Sequence, residues 1–474
     1  MWLGLTVLLV VFTVFVQTTL RTTSWISATA LFAYVQMVFV VGTVPLLDPS
    51  SHVDQVYGAM LLVVVGVFLV VSMVFAPAVA RSIPQTSERS EEYLPGLGVG
   101  VAIAVSLGVV ALYYATVGHV ALFAGIESAV EGGDADVATL RLASYSGERY
   151  FAPGYVNQFR VALLPALAAV TIVSWRRAGV PRRSLSIALA VIAVIALLGT
   201  GQRAAFIQFT LCVFVFLVLL NARKPPRGSL RFGAIFFVLL TTATLALART
   251  ARGVAPGATV FDRFLESVGG AIGRFFVDQQ RSGIITFRYV YEMPVQDGRE
   301  WLRSLQGLLP GSRGSSLANE IYASVYGTPR GTATPSIWAS AYHNFGLAGP
   351  LVLSVVVALL LSLVSWLGLR AARTNELHSM GVAGVFVGAG MWATGTPVTP
   401  LNNGLAVFVL LWLVGSRALA RNSASQAELR PDVPSRVNSD GASHVRRHKG
   451  ERFPGRPRTV PYGQPRRSTG QVGR

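Results

Sequence analysis

An all-α, polytopic membrane bundle is the fold class the sequence predicts, and three observations predict it. Of 474 residues, 52% are hydrophobic and 13% charged, with a mean hydropathy of +0.53. Apolar runs of near membrane-spanning length recur along the chain. No Asp, Glu or Lys falls within any of those runs, so all 22 acids lie between or after them. The spacing predicts eleven spans, at 2–20, 24–46, 57–80, 97–118, 157–175, 184–200, 204–220, 232–248, 347–367, 379–395 and 401–416. The first run has neither a basic leader nor a small-residue cleavage site, so it reads as a span and not a signal peptide.

Charge orients the bundle. The short loops assigned to the cytoplasmic side hold thirteen basic residues and those on the other side hold three, which is the asymmetry that orients membrane helices. An odd number of spans then puts the N-terminus outside and the chain's end inside. The division is 1–248 for eight helices, 249–346 for a long extracytoplasmic loop, 347–416 for three more helices, and 417–474 for a tail. That tail carries thirteen Lys/Arg against four acids and is rich in Pro, Ser and Gly, so it reads as disordered. It supplies half of the net charge of +18. Contact with an anionic membrane face explains it better than nucleic acid does.

The long loop holds aromatic and apolar residues enough to fold. Phe261–Val277 reads as an amphipathic helix and Trp301–Leu309 as a shorter one, ended by Pro310-Gly311. Glycines at 96, 98 and 100, and at 384 and 388, read as sites of close helix packing. The one cysteine, Cys212, lies in an apolar run and offers neither a disulfide nor a metal site. Asp134-Ala135-Asp136 has a metal-binding form but sits in a flexible acidic loop, and it is read as no metal site.

Two stretches stand out for chemistry. The first is Gly331–Pro350, GTATPSIWASAYHNFGLAGP, which closes the long loop and opens an apolar helix. Pro335 sits where a helix can begin, and Trp338 and Tyr342 suit a membrane interface. His343 and Asn344 follow at the mouth of the ninth span, where a histidine and an amide cost free energy unless paired or wet. The second is Gly199-Thr200-Gly201-Gln202-Arg203. Two glycines break the chain there, and Arg203 begins the seventh span, placing a guanidinium at a helix N-terminus that itself favours an anion. Arginine adds bidentate recognition of phosphate oxygens. Arg160 at the start of the fifth span and Arg288 in the long loop are the preferred companions of Arg203, with Arg313 a further substrate contact.

Tyr342-His343-Asn344-Phe345-Gly346 with Gly349, preceded by Thr334-Pro335-Ser336-Ile337, resembles the O-antigen polymerase (Wzy-type) and oligosaccharide repeat unit polymerase family. The Gly-x-Gly-x-Arg turn at 199–203 is similar to a turn in those polymerases and in O-antigen ligases. The stretch from Asp297-Gly298 to Leu309-Pro310, followed by Arg313, resembles the middle of the family's long loop. The resemblance implies a GT-C-like, metal-independent glycosyltransferase in the cell membrane, with its site on the extracytoplasmic face. Its substrate would be an undecaprenyl-diphosphate-linked glycan, polymerised into a surface polysaccharide. It implies no cofactor and no metal, because a diphosphate leaving group carries its own activation. Membrane lipids, a chain-length regulator and a flippase are the implied partners, and nucleic acid is not one.

Within that reading Arg203 stabilises the developing charge and His343 accepts the acceptor hydroxyl's proton. Glu320 is the alternative base. Arg160, Arg288, Arg313, Tyr342 and Asn344 contact substrate, and Arg203 and His343 are expected to face one cavity. Many members of the family lack a histidine at this position, so His343 has an alternative role as a sugar contact. A ligase would use nearly the same residues. A glycan-lipid flippase or other transporter would need polar groups along a transmembrane path, of which the spans contain almost none.

Overall fold

The computed structural model describes residues 1–22, 24–81, 95–124, 127, 139–140, 143–144, 154–180, 182–221, 277, 279–309, 312, 314–327, 333, 335–370, 375–396 and 398–428. The features expected at 134–136, 232–248, Phe261–Phe276, Arg313 and the tail from residue 429 lie outside these residues, as does the side chain of Arg203. Every regular element among those described is helical.

Six helices are long and apolar enough to cross a membrane. They are α1 (Trp2–Arg21), α2 (Ala28–Thr43, extended by a 3-10 turn to Leu46), α3 (His52–Arg81), α4 (Leu97–Val117), α5 (Tyr155–Arg177) and α12 (Ala348–Leu369). Three of the remaining predicted spans are shorter apolar helices: α6 (Arg183–Leu198), α7 (Arg203–Leu220) and the apolar start of α14 (Leu405–Glu428). The predicted span at 379–395 is α13 (Glu376–Met391), completed by a 3-10 turn at Trp392–Thr394. The chain is thus a multi-pass helical membrane protein by the length and composition of its helices.

Local sequence explains where several of these elements begin. Ser27 caps α2 by accepting from the Ala30 amide, and Asn375 caps α13 through the His378 amide. Helix α14 runs to Glu428, beyond the expected boundary at 416, and starts at Leu405 because Thr399–Asn402 forms a separate short turn.

Helix α13 is the axis. Every residue from Glu376 to Gly390 is buried, since α13 packs against α2, α5, α7 and α12. Its Gly384 lies so close to Phe408 of α14 that a Cβ would collide with the ring, as expected for a small-residue contact. Gly96, Gly98 and Gly100 meet nothing among the described residues. Helix α3 lies along α12, and α1 along α3. The lipid-facing sides of the outer helices remain apolar, with Leu3 79% and Val352 62% exposed, which suits a hydrocarbon surround.

Four further helices come from the long loop: α8 (Gln279–Tyr291), α9 (Arg299–Gln306), α10 (Leu317–Tyr326) and α11 (Ile337–Phe345). The expected helix at Trp301–Leu309 is α9, which begins after a left-handed turn at Asp297 and Gly298. These helices do more than cover the bundle. Helix α8 packs on α2 and α3, and α11 on α8, α9 and α12. Trp338, expected at a membrane interface, is fully buried, stacks edge-on against Phe32 and donates to Gln36 Oε1 at 2.9 Å. The apolar contacts of α2 outweigh the amphipathic preference of an indole whose N–H has a buried partner.

Candidate functional site

Residues 335–350 fold as a capped helix and a sharp turn. Ser336 accepts from the Ala339 amide and so starts α11. The Tyr57 hydroxyl lies 3.3 Å from Ser336 Oγ. Gly346 ends the helix with φ of 62°, a conformation that suits glycine. Gly349 lets α12 begin directly against α11, since a Cβ there would collide with the Ala341 carbonyl. The two glycines of the motif therefore serve the α11–α12 corner.

Asn344 and Tyr342 are also held by protein groups. Asn344 is fully buried and donates to Glu300 Oε2 at 3.2 Å and to the Ser340 carbonyl at 2.9 Å. Its Oδ1 accepts from the Trp301 amide at 3.4 Å, and Trp301 Nε1 donates to Ser340 Oγ at 2.8 Å. This network fastens α9 to α11. Tyr342 stacks parallel to Tyr291 at 6.0 Å and against Phe287 at 4.7 Å. Burial, with the neighbouring Tyr291, raises its phenol above the usual value.

His343 is 6% exposed, and its Nδ1 is buried without a hydrogen-bond partner among the described residues. Burial lowers its pKa below the ordinary 6.5, opposed in part by the carboxylates of Glu300 and Glu320. The ring is therefore neutral at pH 7, the protonation state a base requires. Glu320, the alternative base, is exposed in the first turn of α10 and accepts from the Ser316 hydroxyl. Glu300 is the carboxylate that the sequence reading passed over. It is 5% exposed and accepts from Ser304 Oγ at 3.0 Å as well as from Asn344. Its place in the first turn of a short helix gave no sign of that burial.

The second stretch folds as the expected break. Helix α6 ends at Leu198, Gly201 adopts φ of 77°, and α7 starts at Arg203. Arg160 is brought to this turn, inside a π-helical segment of α5 at Gln158–Leu163, a geometry frequent at functional sites. It is fully buried. Its guanidinium donates to Thr200 Oγ1 at 2.9 Å, the Ala196 carbonyl at 3.0 Å, Asn157 Oδ1 at 3.0 and 3.3 Å, and Gln202 Oε1 at 3.5 Å. Every one of these acceptors is neutral.

A cavity of about 510 Å³ opens beside the turn. Asn157, Gln202, Gln208, Asn402 and Asn403 line it together with Ala204, Phe209, Cys212, Met391 and Phe408. Both chain neighbours of Arg203 are on its wall. The amides come from three separate stretches, mostly at the ends of the predicted spans, and meet only in the fold. Neither Arg160 nor His343 is among the described lining residues. The helix of His343, α11, packs on α9, whose following Gly307 lines the cavity, and on the turn after Met391.

Arg288 sits elsewhere. It forms a two-point pair with Asp54 of α3, Nε to Oδ1 at 2.7 Å and Nη2 to Oδ2 at 2.6 Å. The Asp54 side chain is 1% exposed and that of Arg288 is 49% exposed. This places Arg288 at the α3–α8 contact. Arg288→Met is expected to destabilise the fold by about 1–3 kcal/mol, because it strands a buried carboxylate on one side of a half-exposed pair. Asp54→Asn in the same chain should recover part of that loss, read from the thermal midpoints of the two single variants and the double variant. Additive losses would show that the two residues do not act as a pair.

The described residues hold no cluster of His, Cys, Asp or Glu suited to a metal ion. Fold and site together define a multi-pass helical membrane protein with an amide-lined cavity beside an arginine-bearing helix break. No protein-family model matches the chain, no curated protein does, and no solved structure does.

Proposed function

We propose that the protein is an integral-membrane glycosyltransferase that polymerises lipid-diphosphate-linked oligosaccharide repeat units into a surface polysaccharide. One observation carries this reading beyond the motif resemblance: five amide side chains converge on a cavity next to Arg203. Amides donate and accept at once, as sugar hydroxyls and acetamido groups require. The free N–H groups at the start of α7 favour an anion at the same level.

In this reading the chain crosses the membrane eleven times with its N-terminus outside, and the site opens to the extracytoplasmic face, as in GT-C-like transferases. The diphosphate end of the donor lies at Arg203 and the glycan in the cavity. His343 takes the proton from the attacking hydroxyl of the acceptor. The bond from the donor's anomeric carbon to the diphosphate oxygen breaks as the new glycosidic bond forms, and the lipid diphosphate leaves with the negative charge.

A deletion strain tests the class. Surface glycan reduced to single repeat units is the expected result. Long glycan still attached to its lipid carrier would make the protein a ligase, and repeat units trapped in the cytoplasm would make it a flippase.

A further inference from the structure

Arg160 is a buried cation without a buried anion to match it. It is fully buried, and among the described residues no carboxylate pairs with it. Such an ion is costly unless its donors are satisfied, and here four neutral oxygens satisfy them. Two of those oxygens belong to side chains on the cavity wall, Asn157 and Gln202.

That pairing fixes which way both amides face. A guanidinium has only donors, so the atoms turned to it must be the carbonyl oxygens Oδ1 and Oε1. The Nδ2 group of Asn157 and the Nε2 group of Gln202 have no hydrogen-bond partner among the described residues and remain for the cavity. An amide ordinarily offers donors and acceptors alike. Here both oxygens are turned to Arg160, which leaves the two NH2 groups as the donors available to a ligand. The charge of Arg160, which no carboxylate among the described residues pairs with, adds positive potential from behind, and the N-terminus of α7 adds more from the adjoining turn.

We infer that this wall of the cavity is an oxyanion site. Its ligand is a phosphate or carboxylate group that accepts from Asn157 Nδ2 and Gln202 Nε2, and Arg160 is a positioning residue that orients both amides without touching the ligand. On this inference Arg160 acts through the two amides and is not itself a substrate contact. The inference draws on the glycosyltransferase reading only for the sources of the oxyanion, a lipid diphosphate or an acidic sugar.

The test is binding to the purified full chain in detergent, measured by titration without any turnover. Farnesyl diphosphate and glucuronate are the anionic probes, and farnesol and glucose their neutral counterparts. The wild type is expected to bind at least one anionic probe at least about tenfold more tightly than its neutral counterpart. Tight farnesyl diphosphate assigns the lipid diphosphate, and tight glucuronate the acidic sugar. Asn157→Asp and Gln202→Glu each put a carboxylate beside Arg160, so the fold keeps or gains thermal stability while the cavity loses its donor and anion affinity falls about tenfold or more. Arg160→Lys cannot hold both amides at once, and it should weaken the anionic probe while leaving its neutral counterpart unchanged. Equal binding of anionic and neutral probes, or unchanged anion affinity in both carboxylate variants, overturns the inference. Loss of polymer in the deletion strain does not bear on it, so the two readings fail separately.

Discussion

A His343→Gln protein is expected to make about 10²–10⁴-fold less polymer than the wild type, because glutamine keeps a hydrogen bond but takes no proton at neutral pH. The neutral state of the ring gives this prediction a pH arm. Burial holds the folded pKa below the ordinary 6.5. Wild-type activity should therefore stay level through neutral pH and fall only as the pH drops through that lowered value. Stability follows the same sign. The unfolded chain takes up the proton first, so the contribution of His343 is complete above about pH 6.5 and shrinks as the pH falls toward the folded value. The glutamine variant should lose that slope. Full polymer length in the variant would reduce His343 to a sugar contact and pass the base role to Glu320.

Arg203→Ala is the second large effect, with transfer reduced about 10²–10³-fold, the loss typical of one donor aimed at a developing charge. Arg203→Lys separates charge from geometry. Lysine keeps the positive charge but not the planar fork, so a bidentate phosphate contact should suffer nearly as much. The measurement is transfer between purified lipid-linked repeat units in detergent, with the amount of folded protein checked by its thermal midpoint. Wild-type transfer by the alanine variant would reduce Arg203 to an anchor for the end of its helix.

Much of the architecture was legible without coordinates. A strongly apolar run has few ways to exist other than as a membrane helix, and α1, α3, α4, α5 and α12 lie close to their predicted bounds. The break at 199–203 was legible because Gly201 takes a left-handed conformation that other residues rarely adopt. The corner at Gly346 has the same cause.

What only the tertiary structure decided was which polar groups meet. Asn157, Gln202 and Asn402 are far apart in the chain and have no periodicity in common, yet they share one cavity wall. In sequence, Arg160 and Arg203 each open a predicted span and Arg288 lies in the long loop, and nothing local separates their roles. The fold buries Arg160 behind two amides and commits Arg288 to Asp54. The reason is that local sequence sets backbone conformation over a few residues, through φ preferences, caps and apolar periodicity. The partner of a charged side chain is set by the cost of leaving it unpaired in an apolar bundle, and that cost depends on whichever distant segment packs against it.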